Sequence, residues 1–207
     1  MARARPAATA TGTVPGWRGV RAGGLPVITR ERDGTSWARV ERVLPLDAGT
    51  AWRLVADARH HADWVPLTRV DLLRPDGVAW AWERRPDDTA PEAGDVVVAV
   101  TGPTARAGGP GMVDRMRVER YEPPLGQVPG VAVFVKHGPV LLGTARIEVA
   151  AAGPGRSRVT WTEQVHLRGL PPALTRGVGT VLLDGMLTLV LRRAARDAAR
   201  RTQRNAA

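Results

Sequence analysis

One carboxylate of this 207-residue chain stands among apolar side chains, in a segment with a clear strand pattern. In RVTWTEQVH, strict alternation places Glu163 on the face shared by Val159, Trp161 and Val165. A carboxyl group turned toward a protein interior has to be paired, hydrogen-bonded or protonated. Glu163 could therefore orient a ligand hydroxyl or act as a general acid or base. It could equally form a structural salt bridge with an inward arginine, and the pattern leaves both interpretations open.

A second acidic residue has a similar setting. The segment MVDRMRVERYEPP places Asp114 on the face of Met112, Met116 and Val118, the less polar side of its strand. Asp114 could pair structurally with an arginine or line the mouth of a cavity. His137 and His166 lie at strand ends, where either could be a polar group of the same cavity.

The stretch ARHHADWVP holds two adjacent histidines, His60 and His61, with Asp63 close by. Adjacent residues on a helix point about 100° apart, whereas helical metal sites use ligands three or four positions apart. We therefore predict no metal site here. Pro66 biases the residue before it toward extended backbone, so the stretch reads as a hinge anchored by Trp64.

Tryptophan dominates the aromatic residues, with seven copies against one Phe and one Tyr. Trp80 and Trp82 share one face of their segment, so one or both could line a pocket and stack on a flat ligand. Packing in the core is the alternative for both.

Composition excludes several classes of site. With no cysteine, thiol catalysis and cysteine-ligated metals are impossible, and the chain fits a reducing cytoplasm. No nucleotide-binding glycine loop, GxSxG or zinc-helix motif is present, and we predict no cofactor. The net charge of +10 comes from residues 1–30 and 190–207, while the middle of the chain is neutral. This distribution argues against a globular nucleic-acid binder. The 29 arginines against one lysine suggest a GC-rich genome.

Hydrophobic patterns divide the chain into three parts. Residues 1–34 are rich in Ala, Gly, Pro, Thr and Arg without periodicity and read as a disordered tail. Residues 35–202 form one domain, and 203–207 a short tail. Within the domain the pattern predicts a strand at 36–46, short helical segments to Pro66, and strands at 67–73, 78–85, 95–102, 112–124, 130–138, 143–151 and 156–167. A long helix follows, with the apolar stripe Leu174, Val178, Leu182, Met186, Leu189 and Val190.

These segments in this order resemble the SRPBCC or START-like superfamily, most closely its bacterial polyketide cyclase/dehydrase and lipid-transport branch. The resemblance is carried by ARVERVLPLDAGTAWRLVADARHHADWVP, DRMRVERYEPP and GTARIEVAAAGPGRSRVTWTEQVHL. It implies an α+β helix-grip fold, in which a curved antiparallel sheet wraps a long C-terminal helix and leaves an elongated apolar cavity between them. Two short helices follow the first strand. The segment WAWERRPDDTAPEAG departs from the family pattern, so we expect an altered cavity entrance.

Three functions are consistent with this sequence. The first is binding of a small hydrophobic or amphipathic molecule between sheet and C-terminal helix. The second is a polyketide aromatase/cyclase or dehydratase using the same cavity, with Glu163 as the catalytic base. The third is association with a membrane surface or nucleic acid through the Arg-rich end LRRAARDAARRTQR. The residues we predict to contact the ligand are Trp161, Glu163, Asp114, Val118, Met186, Trp80 and Trp82.

Overall fold

The computed structural model describes residues 36–76 and 81–205, apart from the side chains of Ser36, Trp37, residues 172–182 and Asn205. The predicted tail at 1–34 and Trp80 lie outside the described residues.

Eight strands and three α-helices make up the described part of the chain. The strands are β1 (Ser36–Leu44), β2 (Thr68–Pro75), β3 (Trp82–Arg84), β4 (Val96–Thr101), β5 (Met112–Glu122), β6 (Gly130–His137), β7 (Leu141–Ala151) and β8 (Ser157–Leu167). The helices are α1 (Ala48–Val55), α2 (His61–Trp64) and α3 (Pro172–Asn205), with short 3₁₀ turns at Ala58–His60 and Ala105–Ala107. This order confirms the predicted α+β class with two short helices after the first strand.

The strands form one curved antiparallel sheet in the order β1-β8-β7-β6-β5-β4-β2-β3. Strands β4 to β8 are a meander, as the short links between them predict. Strand β3 is not part of this meander. It pairs with one edge of β2, and β4 pairs with the opposite edge of β2. All three β3 residues are exposed, so this strand lacks the apolar face that a central position requires.

Local features of the sequence explain where the two short helices begin or end. The Asp47 side chain accepts a hydrogen bond from the Thr50 backbone N–H at 2.9 Å and caps α1. Helix α2 ends at Trp64, which is buried, and Val65 turns to extended backbone before Pro66. The Arg193 side chain of α3 donates to the Trp64 carbonyl at 2.8 Å, so the hinge is tied to the long helix.

Over the part of α3 whose side chains the structure describes, the stripe that packs on the sheet differs from the predicted one. The buried residues there are Leu187, Val190, Leu191, Ala194 and Ala198, at helical spacing. Val190 belongs to the predicted stripe, and the predicted positions Leu174, Val178 and Leu182 lie outside the described side chains. Met186 and Leu189 are 39% and 38% exposed. The stripe shifts because alanines pack where the helix contacts β1 closely, and alanine carries little weight in a hydrophobicity pattern.

Helix α3 runs to Asn205. The Thr202 hydroxyl donates to the Pro45 carbonyl at 2.9 Å, and Arg201 pairs with Asp197 one turn earlier. These contacts hold the last turns in helical form.

The segment that departs from the family pattern forms β3 and the loop after it. Arg85 and Asp95 make a buried ion pair at 2.8 Å between Nε and Oδ2. Arg59 donates to the Pro86 carbonyl at 2.7 Å and to the Thr89 carbonyl at 2.6 Å. The loop is thus fastened to the 3₁₀ turn before α2.

Candidate functional site

A cavity of about 540 Å³ lies between the inner face of the sheet and α3. Its described wall is mainly apolar, with side chains from β2, β4 to β8, α2 and α3. Met112 and Met186 line it and are 49% and 39% exposed, so they mark its mouth. The polar lining residues are Thr68, Thr101, His61, Asp114, Lys136, Glu163 and His166. A space of this volume fits an organic molecule of moderate size.

The charged groups of the wall converge on Lys136, the one lysine of the chain. Its Nζ lies 2.5 Å from Asp114 Oδ2 and 3.1 Å from Glu163 Oε1. The Lys136 and Glu163 side chains are only 5% and 3% exposed, and that of Asp114 is 13% exposed. We call these three residues the charge cluster.

The register of the sheet makes this cluster possible. Lys136 on β6 lies opposite Gly143 on β7, and Glu163 on β8 lies opposite Ala145 on β7. A whole strand therefore separates Lys136 from Glu163. Because β7 presents only a glycine and an alanine at this level, no bulky side chain blocks the lysine from reaching across.

The electrostatics of the cluster hold Lys136 in its charged form. Burial by itself lowers the pKa of Lys136, but the adjacent carboxylates of Glu163 and Asp114 outweigh burial and raise the pKa above the usual lysine value. Lys136 is thus a fixed ammonium donor rather than a neutral amine nucleophile. With two carboxylates around one ammonium, the cluster carries an excess of negative charge.

Several buried polar atoms beside the cavity have no hydrogen-bond partner within the described structure. They are Asp114 Oδ1, the indole Nε1 of Trp161 and Nδ1 of His166. Buried polar atoms are normally hydrogen-bonded, and those at a cavity wall are available to a ligand or to water. The wall therefore offers at least one acceptor and one donor.

His61 closes the α2 end of the cavity. Its Nε2 lies 2.9 Å from the Val55 carbonyl, to which the neutral ring donates. Its ring stacks at 5.6 Å from Trp64 and is tilted at 4.8 Å from Trp161, measured between ring centroids. Burial lowers the pKa of His61 to about 4, so the ring is neutral near pH 7.

No family model matches the chain, and no curated protein matches it in sequence. Solved structures do match. The Zhui aromatase/cyclase from Streptomyces sp. R1128 superposes with a TM-score of 0.56 and 14% identity, covering 81% of this chain and 96% of that one. Norcoclaurine synthase from Thalictrum flavum gives 0.52 and 12%, covering 81% and 96%. A START superfamily protein from Mycobacterium smegmatis gives 0.50 and 14%, covering 78% and 97%.

The chain has the START-like helix-grip fold. The expectation drawn from its sequence patterns is confirmed at the level of the fold, over most of the length of each neighbour. Identities of 12–14% carry no residue roles from these neighbours to this helix-grip chain.

The helix-grip cavity brings together four of the residues predicted to contact a ligand: Trp161, Glu163, Asp114 and Met186. Val118 does not join them, because it is fully buried in the hydrophobic core further along β5. Trp82 lies on the exposed edge strand β3, 51% exposed and away from the cavity wall. Trp80 lies outside the described residues.

The partner of the two carboxylates was missed in the sequence. The salt-bridge alternative considered for each of them invoked an arginine, but the cation is Lys136. Two signals identify it: it shares the inner face of GVAVFVKHG with Ala132 and Phe134, and it is a lysine in a chain that otherwise uses arginine. His61 was read only as part of a hinge, yet it lines the cavity.

Two of the expectations stated above concern the cavity entrance and metal binding. No described residue of the segment WAWERRPDDTAPEAG (80–94) lines the cavity, so its predicted effect on the entrance stays a prediction. Within the described ranges, no group of three His, Asp or Glu side chains is placed to hold a metal ion. No described helix is long and apolar enough to cross a membrane.

The Arg-rich end is part of the folded body. Ala194 and Ala198 are fully buried there, while Arg192, Arg196 and Arg200 are exposed. Arg201 and Arg204 are exposed as well, so a membrane or nucleic acid would meet the exposed arginines of one helix face and of the last turn.

Proposed function

We propose that this protein binds a small hydrophobic or amphipathic molecule in the cavity between the sheet and α3. The observation that carries the proposal is the cavity itself, about 540 Å³ with a mainly apolar wall and one charge cluster. An apolar pocket with a few convergent polar groups is typical of small-molecule sites. The START superfamily and aromatase/cyclase structures with the same fold support it at this coarse level.

The expected affinity follows from the size of the cavity. Burying ~300 Å² of apolar ligand surface contributes roughly 7 kcal/mol before ordering costs, at ~25 cal/mol per Å². Loss of translational and rotational freedom offsets part of this gain, so we expect dissociation constants of about micromolar size.

The test uses the neutral hydrophobic dye N-phenyl-1-naphthylamine, whose fluorescence rises in apolar surroundings. We expect saturable binding to the full chain at about micromolar concentration. Ala145→Leu adds a larger side chain beside the cavity wall and should weaken binding at least tenfold. Ala150→Leu makes the same change on the outer face of β7 and should bind as the wild type does. No saturable dye binding, or equal binding by both variants, contradicts the proposal.

A second function, polyketide aromatase/cyclase or dehydratase chemistry, is favoured by one observation, the buried ammonium of Lys136 beside two carboxylates in the wall of a mainly apolar cavity. There Glu163 would remove the proton from a carbon between two carbonyls, and the C–H electron pair would pass to the enolate. The Lys136 ammonium would stabilise the enolate oxygen. The enolate carbon would attack a second carbonyl of the same molecule, and the new alkoxide would take the proton back from Glu163.

A kinetic comparison tests this second function. With a synthetic poly-β-carbonyl thioester, Glu163→Gln should lower kcat by about 10²–10⁴-fold while dye binding persists, because general acid–base catalysis contributes about that much. Undiminished turnover by Glu163→Gln excludes Glu163 as the base.

A further inference from the structure

The charge cluster and its surroundings define the ligand more closely, provided that the cavity binds a ligand as proposed above. We propose that the ligand is an amphipathic amine, with a protonated amino group at the charge cluster and an apolar body along α3.

The first argument is the charge of the wall. Lys136 is the one arginine or lysine that lines the described cavity, and it faces both Asp114 and Glu163. The ring of His61 adds no charge near neutral pH. Within the charge cluster, two carboxylates therefore share one ammonium, and an uncompensated charge in apolar surroundings is costly. A ligand ammonium compensates that charge, whereas a ligand carboxylate would add to the excess.

The second argument is the unused hydrogen-bonding capacity. Lys136 donates to Asp114 Oδ2, but the other oxygen, Oδ1, is buried without a partner. A carboxylate can accept several hydrogen bonds, and one from a charged donor is stronger than one from a neutral donor. A primary ammonium has three N–H groups to offer to Asp114 and Glu163.

The third argument is the aromatic lining. Phe134 on β6 lies in the same cross-strand row as Glu163, with only Ala145 of β7 between them. Trp161 lies two residues from Glu163 on the same face of β8 and also lines the cavity. Ring faces attract cations but give no such advantage to an alcohol or a carboxylate. An ammonium bound at Glu163 would thus lie near aromatic rings as well as carboxylates.

The experiment compares three probes with the same ten-carbon chain: decylamine, decanol and decanoate. Each is titrated against the N-phenyl-1-naphthylamine complex of the full chain at pH 7 and constant salt. We expect decylamine to displace the dye at a concentration at least tenfold lower than decanol, and decanoate to be the weakest. Equal displacement by all three, or strongest displacement by decanoate, overturns the inference.

Matched variants locate the preference. Glu163→Gln and Asp114→Asn each remove one negative charge from the cluster and should reduce the preference for decylamine over decanol to less than threefold. Glu148→Gln makes the same chemical change on the outer face of β7 and should keep the preference. A preference unchanged in both cluster variants also overturns the inference.

The two proposals fail in different ways. If the wild-type chain binds no dye, ligand binding itself is contradicted. If it binds the dye but shows no preference for the amine, ligand binding stands and only the identity of the headgroup is wrong.

Discussion

Lysine is used once in this chain, at a position that an arginine would fill less well. The Lys136 ammonium is compact, and its three N–H groups point in different directions. It can therefore meet carboxylates that arrive from two strands, Asp114 on β5 and Glu163 on β8. A planar guanidinium is suited to one carboxylate at a time and would fill more of the gap above Ala145.

Removing the cation should destabilise the protein strongly. In Lys136→Met, two carboxylates remain in the cavity wall without a partner, and we expect a loss of about 3–5 kcal/mol in the free energy of unfolding. Urea denaturation at pH 7 measures it. Arg117→Met is the control, since Arg117 pairs with Glu119 at 3.7 Å in an exposed position and should cost less than about 1 kcal/mol. Equal losses in the two variants would contradict the burial argument.

His61 should make stability depend on pH. Its pKa is about 4 in the folded chain against 6.5 as the ordinary value, so the unfolded chain binds more protons between these limits. The stabilisation is therefore complete above pH 6.5 and is lost as pH falls toward 4, by about 3 kcal/mol at ~1.4 kcal/mol per pH unit.

The comparison with His61→Gln isolates this contribution from that of other titrating groups. Between pH 7 and pH 4, the free energy of unfolding of the wild type should fall further than that of the variant by about 3 kcal/mol. Parallel pH profiles for the two proteins would show that His61 does not carry the effect.

At the scale of the elements, β7 decides whether the sheet can hold a charge cluster at all. At Gly143 and Ala145 the inner face of β7 carries no side chain larger than a methyl group, whereas the two neighbouring strands carry long side chains. Gly143 also has a φ of 138°, a conformation that other residues rarely adopt. The backbone conformation therefore favours glycine at position 143, in addition to the space that Lys136 needs above it.

Substituting Gly143 should disturb the pairing of β7 with β8. A Cβ at this position would lie 1.9 Å from the backbone oxygen of Gln164, so the strands must separate. We expect Gly143→Ala to lower the free energy of unfolding by more than ~2 kcal/mol. Gly153→Ala is the control, because Gly153 also has a positive φ but open space around it, and it should cost about 1 kcal/mol. Chemical denaturation of both variants decides, and equal costs would refute the clash.

Alternation along the chain predicted most of the strands and the inward direction of Glu163 and Asp114, because a strand has only two faces. Alternation could not predict that β3 pairs with the edge of β2 opposite to β4, because the choice of pairing partner depends on which apolar faces of the strands remain to be buried. Nor could it predict that Lys136 reaches Glu163 across β7. That contact depends on the sheet register, which places Gly143 and Ala145 between them.

At the scale of the whole molecule, the cavity makes stability depend on its occupant. A ligand that binds only the folded chain stabilises it by about 2.7 kcal/mol when present at 100 times its dissociation constant. For a domain of this size, that corresponds to a rise in Tm of about 5–10 °C. We expect decylamine at this excess to produce such a rise by differential scanning calorimetry. No change in Tm at saturating dye displacement would show that the probe also binds the unfolded chain.

The pairing of the first strand with the last has a consequence for how the chain is made. Ala38 of β1 lies opposite Glu163 of β8, 125 positions later. A ribosome adds about 5–20 residues per second, so β1 waits on the order of ten seconds for its partner, and α3 emerges later still. Until β8 and α3 have been synthesised, the nascent chain exposes the apolar face and open edge of β1. Productive folding of this domain is therefore expected only after β8 and α3 have left the ribosome.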